Sequence, residues 1–262
     1  MTAVRPGGLP PALTWPFVVA FAALLGSFLN VCISRLPRGE SIVAPPSHCP
    51  RCRTPIRCYD NIPLVSFAIL GGRCRACREP ISWRYPLVET LAVLVGLLVL
   101  WRLGSTWDGL RAFVLSLLLI TVAFTDLETL LIPNRITLPG IVLGLLLRLY
   151  PSPREVLDGL WGALVAGGIF YLIMWVSPMV FGREGMGFGD VKLAAMMGAF
   201  LGLSVVLVAV FLGVVAGGVT AIVLLLSGLR RLGEYLPFGT FLALGGVLAA
   251  LWGRPLLAWY LG

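Results

Sequence analysis

The stretch Leu207-Val-Ala-Val-Phe-Leu-Gly-Val-Val-Ala-Gly-Gly-Val-Thr-Ala-Ile-Val-Leu-Leu-Leu-Ser-Gly228 contains no charged residue. About 20 consecutive apolar residues are the length that an α-helix needs to cross a ~30 Å hydrocarbon core. Apolar runs of similar length recur from residue 13 to the C-terminus. The chain is therefore predicted to be an all-α polytopic membrane protein.

The overall composition agrees with a bilayer as the main solvent. Of the 262 residues, 58% are hydrophobic and 12% charged, with a mean hydropathy of +0.95. A soluble domain carries about twice that charged fraction. Disordered, collagen-like, coiled-coil and nucleic-acid-binding classes are therefore excluded, and no nucleic-acid partner is predicted. A cleaved signal peptide is not expected, because the first apolar run leads into a basic loop and further spans.

Apolar runs separated by charged or Pro/Gly-rich breaks predict about eight transmembrane helices. The apolar stretch 191–229 is too long for one crossing, so it is divided at Gly202-Leu203-Ser204. The predicted helices are 13–34, 85–103, 109–126, 136–150, 157–181, 190–205, 207–228 and 237–259.

The net charge of +8 is the balance of 20 basic residues, 19 arginines and one lysine, against 12 acidic residues. The basic residues are spread over short loops, where they set the orientation of a membrane protein. The one sizeable polar segment, 35–84, carries nine arginines against three acidic residues, which predicts that it is cytoplasmic. Alternation of the helices then places both termini outside, together with Arg148, Arg154 and Arg254. Three further loops are predicted on the cytoplasmic side: 126–135, 182–190 and 229–236.

Four of the six cysteines form two C-x-x-C pairs, Cys49/Cys52 and Cys74/Cys77. Two such pairs complete a closed four-thiolate site, which predicts structural zinc. Disulfides are the alternative, but they seldom persist in a reducing cytoplasm. Cys32 and Cys58 lack partners at ligand spacing and are expected to be packing residues, whereas His48 could substitute as a metal ligand.

Ionisable residues inside spans are costly and functional by default. Asp126 ends one apolar run, and Asp190 opens another after a glycine-rich loop, so both are predicted at the cytoplasmic boundary. Two carboxylates that share a proton can activate water and protonate a leaving amine in peptide hydrolysis. Asp190 is equally suited to a helix N-terminus, Asp126 could be an ordinary interfacial carboxylate, and a transport path remains open.

Three kinds of neighbouring residue are candidates to support this site. Gly187 and Gly189 permit close backbone approach. Lys192 either favours an ionised carboxylate nearby or snorkels to the interface. Glu89, in the second span, needs a partner such as Arg84 and is a candidate for binding the substrate amine or a methyl donor.

The segment Gly187-Phe-Gly-Asp190 matches the GxGD signature of polytopic aspartyl proteases. With the surrounding motifs, the chain resembles the bacterial prepilin peptidase family over nearly its whole length. The motifs that carry the resemblance are Glu184-Gly-Met-Gly-Phe-Gly-Asp-Val-Lys-Leu193, Asp126 with Ile132-Pro-Asn134, Gly26-Ser-Phe-Leu-Asn30, Arg35-Leu-Pro37, Pro45-Pro-Ser-His-Cys49, the double C-x-x-C, and Arg84-Tyr-Pro-Leu-Val-Glu89.

The resemblance implies an inner-membrane enzyme with Asp126 and Asp190 as catalytic residues. Family members cleave the basic leader of type IV prepilins and type II secretion pseudopilins after a glycine, on the cytoplasmic side. Many then N-methylate the new N-terminus with S-adenosylmethionine, and the cysteine loop is associated with that form. The implied divisions are a first helix (1–34), a zinc loop (35–84) and a peptidase domain (85–262).

Three alternatives stay open at this stage. The chain could be a peptidase without methyltransferase activity, a proton-coupled transporter that uses the buried carboxylates, or a zinc-bearing scaffold. A transporter is expected to show repeats with broken helices in matching halves, and no convincing internal repeat is found. Besides pilin substrates, anionic lipid head groups are expected to contact the arginine-rich loop.

Overall fold

A computed structural model describes residues 11–150, 152–181, 186–229 and 236–262. The predicted loops 182–190 and 229–236 lie partly outside these ranges. Within them the chain is helical and contains no β-strand, only the isolated bridges His48–Pro55 and Arg73–Pro80. The helices are α1 (Pro11–Arg35), α2 (Val65–Ile69), α3 (Arg84–Leu103), α4 (Trp107–Thr129), α5 (Asn134–Leu147), α6 (Arg154–Phe181), α7 (Phe188–Leu201), α8 (Leu203–Leu226) and α9 (Phe238–Leu261).

All eight predicted helices are present, with ends that differ by a few residues. In the described ranges, six of them (α1, α3, α4, α6, α8 and α9) are long and apolar enough to cross a membrane. Helices α5 and α7 have 14 residues each, which corresponds to about 21 Å of rise. Of the eight helices predicted to be transmembrane, six are candidate spans in the described residues, α5 is a shorter apolar helix, and α7 is a short helix that carries Asp190 and Lys192.

The chain divides into two compact units, Met1–Gly109 and Leu110–Gly262. In the first unit, α1 packs against α3. A Cβ on Gly26 would lie 2.8 Å from the Cα of Glu89, so the two helices approach at backbone distance. The loop between these helices contains all four paired cysteines.

In the second unit, glycines let pairs of helices approach closely. Gly198 of α7 abuts the backbone of Gly162 in α6, and Gly245 of α9 abuts that of Gly213 in α8. Small residues at such contacts are typical of helix packing in membranes, where apolar burial provides little driving force. Large apolar side chains such as Phe211 and Leu226 of α8 point outward, as a lipid environment requires.

The predicted break in the long apolar stretch 191–229 is confirmed at Gly202, whose φ is +80°. Asp158 of α6 accepts a hydrogen bond from the Leu203 N–H (3.1 Å) at the start of α8. Arg148 donates to the Phe200 carbonyl (2.9 Å) at the end of α7 and is ion-paired with Asp158. Each helix end at the break thus has one backbone group that is bonded to a side chain.

Candidate active site and metal site

Asp126 lies in the last turn of α4 and is 5% exposed. Its Oδ2 accepts a hydrogen bond from the backbone N–H of Thr240 (2.9 Å) and lies 3.3 Å from the Thr240 hydroxyl. That hydroxyl also lies 3.1 Å from the Ala123 carbonyl. Thr240 is in the first turn of α9, so the N-terminus of α9 holds the carboxylate of Asp126.

Asp190 lies in the first turn of α7 and is 9% exposed. Its backbone N–H donates to the Gly187 carbonyl (3.1 Å). The carboxylates of Asp126 and Asp190 interact electrostatically. The structure thus brings together the two aspartates that the sequence singled out, from helix ends 64 positions apart in the chain.

Ile132 packs between the helix starts that border the two aspartates. A Cβ on Gly189 would lie 3.0 Å from the Ile132 Cβ, and one on Gly239 would lie 2.8 Å from its Cδ1 and 3.0 Å from Asp126 Oδ2. Gly187 has no comparable neighbour among the described residues, because beyond its two chain neighbours the nearest atom to an added Cβ is the Gly189 N, 3.9 Å away. Close approach therefore explains the glycine at 189, whereas nothing in the structure explains the one at 187.

The contacts of Lys192 indicate a structural role rather than one in general acid-base chemistry. Its Nζ donates a hydrogen bond to Asn134 Oδ1 at the start of α5 and lies 4.9 Å from the centre of the Phe188 ring. Asn134 belongs to the Ile132-Pro-Asn motif that follows Asp126. Lys192 therefore ties the segment after Asp126 to the helix that carries Asp190.

The four paired cysteines form one cluster in the first unit, with all sulfur atoms within 4.8 Å of one another. Cys49 Sγ and Cys77 Sγ are 3.8 Å apart, and Cys52 Sγ and Cys74 Sγ are 4.0 Å apart. Tetrahedral coordination at about 2.3 Å per Zn–S bond requires sulfurs about 3.8 Å apart. The cluster therefore fits a tetrahedral metal ion, and no S–S bond is present among its thiols.

The cluster is made of two copies of one turn. Cys49 N–H donates to the Thr54 carbonyl (3.0 Å), and Cys74 N–H donates to the Glu79 carbonyl (2.8 Å) at the equivalent place. In each C-x-x-C pair, the residue that follows the second cysteine has a φ near +60°. These residues are Arg53 and Arg78. The repeat is visible in the sequences His48-Cys-Pro-Arg-Cys-Arg-Thr-Pro-Ile56 and Arg73-Cys-Arg-Ala-Cys-Arg-Glu-Pro-Ile81, so the expectation of no convincing internal repeat is wrong for this loop.

Hydrogen bonds and burial shift the thiols of the cluster in different directions. A hydrogen bond with the Thr54 hydroxyl (3.2 Å), with a second from the Thr54 backbone, lowers the pKa of Cys52 to about 6 and favours its thiolate, the form that binds metal. Cys77 has a backbone hydrogen bond at Glu79 that lowers its pKa, but burial and the neighbouring cluster thiols raise it to about 12. Nearby, the guanidinium of Arg75 donates two hydrogen bonds to the carboxylate of Asp60, which hold the pKa of Asp60 below its usual range.

The remaining cysteines and the histidine lie outside the cluster. Cys32 is buried in α1, as expected for a packing residue, whereas Cys58 is exposed. His48 Nδ1 is 3.1 Å from the Pro46 carbonyl and is not among the grouped ligands.

Glu89 belongs to the first unit, where it contacts the cysteine loop. It is 6% exposed, and its Oε2 accepts a hydrogen bond from the Leu64 N–H (2.8 Å). The Ser27 hydroxyl bonds to the same carboxylate. Leu64 has a φ of +63°, a conformation that leucine rarely adopts. The carboxylate of Glu89 thus binds Leu64 and Ser27, while the guanidinium of Arg84, the expected partner, lies over the Tyr85 ring at 5.0 Å.

Thr240 is the residue that sequence reasoning missed. The signal available was Pro237-Phe-Gly-Thr240, a proline and a threonine at the start of an apolar run, where a helix begins. Nothing local in that segment indicates Asp126 as the partner, because the two residues are 114 positions apart.

Two protein-family models match the chain, one within each of its two units. Residues 20–103 match the model of the Bacterial Peptidase A24 N-terminal domain, and residues 113–222 match that of the Type IV leader peptidase family. No solved structure matches the chain.

Several curated relatives extend over almost the whole chain, and each is named a prepilin leader peptidase/N-methyltransferase. The Aeromonas hydrophila protein is 36% identical over 96% of this chain and 95% of its own. The Pseudomonas aeruginosa protein is 34% identical (93% and 92%) and the Neisseria gonorrhoeae protein 37% (88% and 89%). The chain belongs to the type IV leader peptidase family.

Proposed function

We propose that this chain is a bifunctional membrane enzyme that removes the leader peptide of type IV prepilins and then N-methylates the new amino-terminus. The observation that carries the peptidase activity is the pair of buried, interacting carboxylates Asp126 and Asp190. The full-length relatives named for both activities support the bifunctional assignment. Type II secretion pseudopilins are the second expected substrate class.

In the proposed cleavage step, one carboxylate of the Asp126/Asp190 pair removes a proton from a water molecule. The water oxygen bonds to the scissile carbonyl carbon, while the other, protonated carboxyl group donates its proton to the carbonyl oxygen. The tetrahedral intermediate then breaks its C–N bond and the amine leaves with the proton taken from water. One hydroxyl group of the intermediate returns its proton to the second carboxylate, which restores the starting pair. This division of labour is general acid-base catalysis.

We propose that the four-cysteine cluster holds zinc with a structural role. Four thiolates fill the tetrahedral coordination sphere of zinc and leave no position for water or substrate. A basic loop with one short helix, α2, has little apolar surface of its own, so metal binding contributes much of its folding free energy. The zinc loop (35–84), the first helix (1–34) and the peptidase domain (85–262) are the proposed functional divisions.

In the second reaction, S-adenosylmethionine, when bound, would supply the methyl group for the freed amine and leave as S-adenosylhomocysteine. We assign this step to the part of the chain that includes the cysteine loop. Glu89 supports it by binding Leu64 and so positioning the loop.

We place the enzyme in the bacterial inner membrane, with both aspartates and the arginine-rich loop facing the cytoplasm. The six candidate spans support a multi-pass arrangement, and the nine arginines of segment 35–84 support its orientation. Exposed arginines of this loop are expected to contact anionic lipid head groups.

Purified protein in detergent, incubated with a prepilin and S-adenosylmethionine, tests both activities. Intact and N-terminal mass spectra are expected to show a shortened pilin with one added methyl group. Asp126→Asn and Asp190→Asn should each abolish cleavage but retain bound metal, whereas Glu128→Gln, an exposed carboxylate two residues from Asp126, should cleave normally. Full cleavage by either aspartate variant would refute the assignment, and cleavage without methylation would favour a peptidase alone.

A further inference from the structure

We infer that the N-terminus of α9 makes Asp126 the ionised base of the catalytic pair, with Thr240 as its positioning residue, and that Asp190 is therefore the protonated acid. The inference rests on the proposed peptidase function and deepens it, because it gives the two aspartates different roles. It depends on what each carboxylate contacts.

The hydrogen bonds of Asp126 select its charged form. A backbone N–H can only donate, so Asp126 Oδ2 is the acceptor of the 2.9 Å bond from Thr240, and an acceptor role is best filled by the ionised carboxylate. The backbone of Gly239 contributes a further N–H. The first N–H groups of a helix lack partners within it and carry about half a positive charge. A carboxylate that accepts several of these bonds is stabilised in its ionised form.

Asp190 lacks a matching set of donors from another helix among the described residues. The donors near its carboxylate are the N–H groups of its own turn, at Gly187 and Asp190, and the second of these already donates to the Gly187 carbonyl. Asp190 is also buried next to the charge of Asp126. Two like charges cannot both ionise easily in a low-dielectric site, so the pair keeps one proton, on Asp190.

Thr240 positions Asp126 from two directions. Its backbone binds the carboxylate, while its hydroxyl lies within hydrogen-bonding distance of both Asp126 Oδ2 and the Ala123 carbonyl of α4. The hydroxyl therefore joins the start of α9 to the turn that carries Asp126. In catalysis, Asp126 takes the proton from water, and Asp190 gives its proton to the carbonyl oxygen of the substrate.

Carbodiimide labelling tests the charge assignment without any substrate. Dicyclohexylcarbodiimide reacts with protonated carboxyl groups in apolar surroundings and converts them into stable N-acylureas. Trypsin separates the two aspartates into peptides 112–135 and 184–192, and fragment spectra locate the adduct within each. At neutral pH the adduct is expected on Asp190 and not on Asp126, and Asp190→Asn should remove it. An adduct on Asp126 at equal or higher yield would overturn the inference.

Thr240 variants test the positioning role in the intact enzyme. Thr240→Ala is expected to lower kcat for prepilin cleavage about tenfold with little change in KM, because about 1.4 kcal/mol of hydrogen-bond free energy corresponds to a factor of ten. Thr240→Ser keeps the hydroxyl and should restore kcat. Thr220→Ala, whose hydroxyl bonds only within α8 in the described structure, is the matched control.

Methylation of a pilin peptide that already has a free amino-terminus separates this inference from the proposed function. Thr240→Ala should methylate that peptide at the wild-type rate, which also shows that the variant is folded. A kcat for cleavage equal to wild type in Thr240→Ala, or a loss that Thr240→Ser does not restore, would refute the positioning role. If the unmodified protein cleaved no prepilin, the proposed function would fail while the labelling result would still assign the charges.

Discussion

A Cβ added to Gly189 would lie 3.0 Å from the Cβ of Ile132. This contact joins the glycine-rich segment before Asp190 to the Ile132-Pro-Asn segment after Asp126. Contacts this short are rare for real Cβ atoms, and close-packed interiors yield little to an added methyl group. The Ile132 side chain thus packs directly against the backbone of Gly189, and the missing side chain of Gly189 makes this approach possible.

Gly189→Ala is therefore expected to separate the segments that carry the two aspartates. Overpacking of this kind costs about 1–3 kcal/mol, and a displacement of catalytic groups by about 1 Å can lower activity about a hundredfold. Gly187→Ala is the matched control, because beyond its two chain neighbours its Cβ would meet no atom of the described residues closer than 3.9 Å. Cleavage assays should show a loss of tenfold or more for Gly189→Ala only, and equal activities would contradict the packing explanation.

Metal removal is expected to unfold the cysteine loop. The four sulfurs fit one tetrahedral ion, and metal binding in such sites is coupled to folding. Elemental analysis should find one zinc per chain, and chelation should speed tryptic cleavage at the arginines of the loop, because an unfolded segment fits the protease more easily than a folded one. Cys52→Ser and Cys77→Ser should lose the metal, whereas Cys58→Ser, which replaces an exposed cysteine outside the cluster, should retain it. Retention of zinc by a cluster variant would argue against a four-cysteine site.

Glu89 is expected to act as a hydrogen-bond acceptor for the loop. Glu89→Ala leaves the Leu64 N–H without this partner, which costs about 1–3 kcal/mol for a buried donor. Glu89→Gln keeps a carbonyl oxygen at the same place and should restore most of the loss. Methylation of a pre-cleaved pilin peptide and tryptic cleavage of the loop measure the effect. If Glu89→Gln abolished methylation while the loop stayed intact, the charge of Glu89 would instead serve the substrate amine or the methyl donor.

The ion pair of Arg148 with Asp158 is expected to stabilise the second unit. Arg148 was counted among the external loop charges, yet its side chain is 5% exposed, against 49% for Asp158. Asp158→Ala removes the ion-pair partner of the buried Arg148 guanidinium. Breaking a fully buried ion pair costs roughly 3–5 kcal/mol of unfolding free energy. The cost is expected to be lower here, because Asp158 is half-exposed and water screens the pair. Thermal unfolding in detergent should show a lower Tm.

Arg51→Ala serves as the comparison for that measurement. Arg51 is 3.8 Å from Glu79, and both side chains are exposed, so its loss should leave the Tm unchanged. Equal Tm values for Asp158→Ala and the unmodified protein would show that the Arg148 pair adds nothing to stability.

Local patterns in the sequence determined the helices, the break at Gly202 and the cysteine site. Runs of about 20 apolar residues specify membrane helices wherever they occur, and C-x-x-C spacing brings two thiolates to one ion within a single turn. The candidate catalytic residues were identifiable for a similar reason, because Asp126 and Asp190 are carboxylates at the ends of apolar runs, where a charge is costly unless it has a function.

Only the tertiary structure decided the partners of those charges. The hydrogen bond between Asp126 and Thr240, the contact of Glu89 with Leu64 and the burial of Arg148 join residues that no local pattern connects. Hydrophobic periodicity specifies which residues form a helix. It does not specify which helix ends meet, because that depends on side-chain packing and glycine contacts between helices distant in the chain. The distinction between the two aspartates, which look alike in sequence, arises from those contacts.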